Sequence, residues 1–152
     1  MSAPKPVARL DQSMAHAASS MLPDAVPDRL RTRYRQLPVM LRISGLAATY
    51  AFILSSSRPD PTKEVGFAYK LVADGIRTHI SEHALLGQGK RWVSNRDLLE
   101  AFAEADRSVY ARVSAEIEAL AGWLSRLAEA RYREGEYAAA EAEKRAAAEG
   151  TA

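Results

Sequence analysis

Apolar residues recur along this chain at intervals of three and four and nowhere alternate with polar ones for the length of a strand, so the pattern predicts an all-α protein. Leu10, Met14, Ala17 and Met21 share one face of a first helix over about 7–22, which stops before Pro23. A Pro-containing link over 23–27 leads to Asp28, a suitable cap for a second helix reaching Gln36. Pro38 fits the first turn of a third, where its missing N–H leaves no bond unmade. That third helix, over 39–56, sets Val39, Ile43, Leu46, Tyr50 and Ile53 on one stripe, flanked by Met40, Ala47, Ala51 and Leu54, wide enough for a central helix. Gly45 in its interior costs about 1 kcal/mol relative to Ala, which points to close approach of another backbone or a partner at that turn.

The run from Ser55 to Pro61 is a breaker, and a fourth helix over about 62–86 turns Val65, Tyr69, Val72, Ile76 and Ile80 inward. A loop over 87–92 follows. Ser94 with Asp97 three positions on has the form of a capping box and opens a fifth helix carrying Leu98, Leu99 and Phe102. After a break near Asp106, Tyr110, Val113, Ile117, Leu120, Leu124 and Leu127 make the seam of a last long helix. Beyond Gly135 there is no large aliphatic residue, so this Ala/Glu-rich stretch has nothing to bury. The expected architecture is a compact bundle of five to six helices over 1–134 with a frayed or disordered tail over 135–152, helical or disordered.

Composition narrows the chemistry. The 152 residues contain no cysteine, which removes disulfides, thiolate catalysis and cysteine-based zinc sites and suits a reducing, cytoplasmic setting. No apolar run approaches the roughly 20 residues a bilayer requires, and no signal peptide opens the chain, so no membrane partner is expected. The net charge of +2 hides a patch: residues 28–58 hold Arg29, Arg31, Arg33, Arg35, Arg42 and Arg58 against Asp28 alone. Arginine outnumbers lysine 16 to 5; its planar fork suits phosphate or carboxylate, although a GC-rich coding bias gives the same ratio.

Gly87-Gln88-Gly89-Lys90 lacks the strand and helix register of a phosphate loop, and the only histidines are His16, His79 and His83. His79 and His83 share a helix face as a metal pair would, but such spacing is common on ordinary helices and carboxylates would have to complete the site. No catalytic residue, metal or cofactor is expected. Arg31 and Arg35 share a face, and the cluster reads either as phosphate binding or as a solvated arginine-rich helix. Lys90, Arg91 and Arg96 surround Trp92, which either stacks on a base or docks its loop onto the bundle. The many carboxylates of the last helix read as a solvated face.

Two stretches go further. Residues 34–54, Tyr-Arg-Gln-Leu-Pro-Val-Met-Leu-Arg-Ile-Ser-Gly-Leu-Ala-Ala-Thr-Tyr-Ala-Phe-Ile-Leu, resemble the signature of the small helical subunit of the type III-B CRISPR effector, the Cmr RNA-silencing complex. Residues 106–110, Glu116 and the Trp-Leu-Ser-Arg-Leu-Ala-Glu-Ala run over 123–130 are similar to that family's C-terminal pattern, and Asp97-Leu-Leu fits between. The resemblance covers roughly 8–131. Ser44 stands where the family usually has Asn, Ser57 near a usual Lys with Arg58 beside it, and Leu127 in place of an aromatic.

The resemblance implies a non-catalytic subunit whose copies stack along the inner face of a filament of backbone subunits, with the backbone and large subunits and neighbouring copies of itself as partners. It would support crRNA and target RNA by sequence-independent backbone contacts in antiviral defence. On that footing Arg35 and Arg42 are the first phosphate candidates, with Gly45 letting an RNA or protein backbone approach the turn of Arg42. Lys70 with Arg77, and Arg112 with Arg126, follow. Trp123 is either a core edge or a protein-interface anchor for a neighbouring copy. The rival readings are a helical protein-protein adaptor that binds no RNA and, weaker, a metal-dependent enzyme using His79 and His83.

Overall fold

Between residues 28 and 56, glycine rather than proline decides where the helix breaks. The computed structural model describes residues 6–87, 91–92 and 94–150. Among them are six helices and no strand: α1 (Pro6–Ser20), α2 (Asp28–Ser44), α3 (Leu46–Ser56), α4 (Glu64–Glu82), α5 (Asn95–Glu104) and α6 (Arg107–Gly150). The all-α bundle is as the hydrophobic periodicity predicts. The side chain of Leu10 and the loop residues 88–90, Lys90 included, lie outside the described residues.

The expected break before Pro38 is absent, because α2 runs straight through it. Leu30, Tyr34 and Leu37 are buried and Leu41 packs on the core, one continuous stripe laid along α6 in the broadest helix contact of the molecule. An interior proline costs about 3 kcal/mol. Each large apolar side chain kept in that stripe returns about 1.5–3 kcal/mol, so packing wins. The break falls instead at Gly45, with φ 91° and ψ 168°, a region essentially confined to glycine. Its N–H donates to the Leu41 carbonyl at 3.1 Å and its own carbonyl accepts from Thr49 N–H at 3.1 Å, closing one helix and opening the next. A Cβ there would meet only Tyr110 Oη, at 3.7 Å. The backbone dihedral, rather than close approach of another part of this chain, is what requires glycine within the bundle.

This break re-aims the side chains on its N-terminal side. Leu46, Tyr50 and Ile53 are buried as expected, but Val39 and Ile43, assigned to the same stripe, are 48% and 79% exposed. A single helix would have kept all five in line; two helices meeting at Gly45 do not.

The core is shared by α2, α3, α4 and α6, with α1 across α6 and α4 and α5 against α3 and α4. Two buried tyrosines satisfy their hydroxyls inside it. Tyr34 donates to the Met21 carbonyl at 3.2 Å, while Tyr50 donates to Asn95 Oδ1 at 3.0 Å and packs edge-on against Phe102 with 5.4 Å between ring centres. At Gly75 any side chain would overlap Met21, so α4 lets the end of α1 come close there. Ser94 caps α5 by accepting from Asp97 N–H at 3.0 Å, as the capping box predicts. Trp92 docks its loop on the core, the second of its two expected roles; its backbone N–H donates to Ser81 Oγ at 3.0 Å.

The last buried residue of α6 is Ala128. Beyond it the tail takes the helical form: α6 continues to Gly150, and the side chains past Gly135 are almost all exposed. No helix among the described residues is long and apolar enough to cross a membrane.

Candidate functional site

The basic side chains divide by what holds them. α2 and α6 run antiparallel, and two charge pairs mark the register: Arg35 with Glu129 at 3.1 Å and Arg42 with Glu118 at 3.2 Å. Arg31 reaches Glu129 at 3.5 Å and lies 3.8 Å over the Tyr132 ring. Partial desolvation raises the Glu129 carboxyl, but hydrogen bonds from Arg35 and Arg133 with the charge of Arg31 hold it below its ordinary range. Arg35 and Arg42, seven residues apart, thus share one face of α2, and they do so together with Val39 and Ile43. Their side chains are 59% and 68% exposed. Ion pairs this open contribute at most about 1 kcal/mol and can be exchanged for another anion.

Lys70 and Arg77 also share a face, but around Asp74. Lys70 pairs with it at 2.6 Å and Arg77 at 3.5 Å. Arg77 donates further to Asn95 Oδ1 at 2.8 Å and to the Trp92 carbonyl at 3.2 Å, tying α4 to the start of α5. Desolvation raises Asp74, yet hydrogen bonds from Lys70 and Asn95 keep it below its ordinary range. This cluster is part of the fold's framework.

A third group lies on the outer side of α6. Arg112, Ala115, Ala119, Gly122 and Arg126 follow one another three and four apart, and all but the half-exposed Gly122 are exposed. A Cβ at Gly122 would meet nothing within 4 Å, so the stripe is open. Arg126 lies 5.6 Å over the ring of Trp123, itself half-buried and packed on the core edge. Arg112 stands at the rim of an open cleft of about 820 Å³ whose wall includes Met14, His83, Leu86, Val109 and Glu116.

His79 and His83 do come together, with 4.3 Å between ring centres and their planes tilted by 51°, but His79 is only 2% exposed. Its Nε2 sits 3.2 Å from Glu116 Oε1. Burial holds its pKa below the ordinary value, which the Glu116 hydrogen bond partly opposes. No three His, Cys, Asp or Glu side chains among the described residues converge as metal ligands.

One structural arginine escaped the sequence reading. Arg131 donates to the carbonyls of Leu22 at 3.1 Å and Pro23 at 2.9 Å and to Ser19 Oγ at 2.9 Å, clamping the end of α1 to α6. It falls on the same helix face as Leu124 and Ala128, and a cation on a core-facing stripe is the signal that could have found it. Arg58, beside Ser57, folds back on its own loop, donating to the Ser55 and Ser57 carbonyls at 3.1 and 2.7 Å.

A sequence model of the family described as CRISPR-associated protein (Cas_Cmr5) matches residues 10–131. The chain belongs to that family. It is the family of type III-B Cmr small subunits that the stretches over 34–54 and 106–130 resemble. The match takes in α2, α3, the Asp74 cluster and the Arg112–Arg126 stripe, and it ends at the clamp residue Arg131; residues 132–150 of α6 lie beyond it. Comparison with curated proteins and with solved structures gives no match.

Proposed function

We propose that this chain is the non-catalytic small subunit of a type III-B CRISPR (Cmr) ribonucleoprotein, working in the cytoplasm in antiviral defence. Several copies stack along the filament of backbone subunits, near the large subunit, and support crRNA and target RNA through sequence-independent phosphate contacts. The observation that carries this reading is family membership across 10–131.

Among the basic side chains, Arg112 and Arg126 suit the RNA best. They are exposed, they share a stripe, and the small residues between them let a sugar-phosphate backbone come close to the helix. Arg77 serves chiefly to hold α4 to the start of α5, and Lys70 pairs with Asp74 within α4 beside it. Arg35 and Arg42 alternate with the exposed Val39 and Ile43, a mixture that fits a protein surface better than a phosphate chain. That face is the observation favouring the second reading, a protein-protein adaptor.

The test is RNA retention by the assembled complex across a salt series, comparing the native chain with R112E/R126E. The expected outcome is weaker retention and a salt slope shallower by about 2, one unit for each lost phosphate contact. Unchanged affinity and slope would remove the RNA contact and leave the adaptor.

A further inference from the structure

α6 runs past both its buried core and the stretch that matches the family. Burial stops at Ala128 and the family match at Arg131, yet the helix continues to Gly150. Eighteen residues, 133–150, therefore project as a helix about 27 Å long at 1.5 Å per residue.

The projection is built to stay helical without a core. Seven of its residues are alanine, a strong helix former. Near-neighbour bonds brace its surface: Arg133 pairs with Glu129 at 3.0 Å and Glu136 at 3.6 Å, Tyr132 donates to Glu136 at 2.6 Å, and Lys144 meets Glu141 at 3.8 Å. Alanine runs punctuated by Glu and Lys behave as semi-rigid helical spacers. Its charge is the opposite of α2: Glu134, Glu136, Glu141, Glu143 and Glu149 against Arg133, Lys144 and Arg145, whereas α2 holds five arginines against Asp28.

The two surfaces also agree in spacing. Glu134 and Glu141 are seven residues apart on one face of the projection, with Tyr137 and Ala138 between them; Tyr137 is 71% exposed. On α2, Arg35 and Arg42 are seven apart with Val39 between them and Ile43 beside them. Two helices laid side by side bring acid to base at both positions and cover the apolar residues in the middle, whichever way they run. Within one molecule the projection leads away from that face, because α6 runs antiparallel to α2 and passes its N-terminal end.

We infer that residues 133–150 of α6 form an acidic helical arm that docks on the Arg35–Val39–Arg42–Ile43 face of a second copy of this chain. The inference rests on the stacking of copies in the function proposed above and adds the device that joins them. Glu118 and Glu129 hold the arginines in place until the arm of the neighbour takes over part of their role.

The experiment is sedimentation of the full chain over a concentration series at low salt, beside a chain ended after Arg133, E134R/E141R, R35E/R42E and the combination of those two pairs. The shortened chain keeps every buried residue, so circular dichroism and its unfolding midpoint serve as the control for folding. The expected result is self-association at least tenfold weaker in the shortened chain and in each charge-reversed pair, with recovery in the combination. Association of the shortened chain equal to that of the full chain would overturn the inference, as would a combined variant no better than its parents or a full chain that stays monomeric. Loss of the shortened chain from the assembled complex with self-association unchanged would also overturn it, by giving the arm to another subunit. R112E/R126E reads the RNA contact separately, so failure of the arm and failure of the RNA contact are distinguishable.

Discussion

Arg77 and Arg42 are the same residue on two sides of one bundle, and the molecule uses them in opposite ways. The Arg77 side chain is 25% exposed and meets Asp74, Asn95 and the Trp92 carbonyl, joining elements that would otherwise part. Arg42 is 68% exposed and reaches across to Glu118 on the α2–α6 seam. Arg131 belongs with Arg77, for its acceptors are the carbonyls that end α1. The number of fixed acceptors and the water left around the guanidinium, not the charge, separate an arginine that builds the fold from one that can be lent to a partner.

The sharpest way to break this comparison is to remove the built-in cation. Arg77→Ala leaves Asp74 and Asn95 short of partners in a half-buried site and is expected to cost about 2–3 kcal/mol in urea unfolding. A loss under about 1 kcal/mol would erase the distinction. Gly45→Ala comes next: the strained dihedral is expected to cost about 1–3 kcal/mol although the side chain has room, so a neutral result would mean that the α2–α3 junction can relax.

The pH dependence probes the framework from another direction. Burial lowers the His79 pKa from 6.5, so the folded state takes up a proton less readily than the unfolded chain. Stability from this source is complete above about pH 6.5 and falls as the pH drops below it, levelling off only under the folded-state pKa. Urea titrations between about pH 7 and pH 5 should show that decline, and His79→Phe should flatten it. The smallest effect belongs to the seam, where Arg35→Ala or Arg42→Ala should move stability by no more than about 0.5 kcal/mol in the same assay.

The helices whose periodicity agrees with their packing were legible from the sequence alone. Val72, Ile76 and Ile80 on α4, the Ser94 cap of α5 and the Val113–Leu124 seam of α6 lie where spacing puts them. The α2–α3 region was not, because two local rules competed there. Proline normally ends a helix, and a lone glycine is normally tolerated inside one; long-range packing of Tyr34, Leu37 and Leu41 reversed both, and Val39 and Ile43 turned outward as a result. For the candidate site, spacing reported faces but not what they meet. That Arg35 and Arg42 share a side follows from a seven-residue interval, whereas Glu129 and Glu118 lie 94 and 76 residues away along the chain. The same interval put Lys70 beside Arg77 without revealing that Asp74 already occupies both.

The 44 residues of α6 make one uninterrupted rod of about 66 Å, fixed to the bundle over little more than half of it. Such a rod is a lever. A tilt of about 10° at the Arg131 clamp, too small to disturb the core, sweeps its far tip through about 5 Å. Under the docking proposed above, neighbouring molecules held by that arm would shift in pitch relative to one another while each bundle stays rigid.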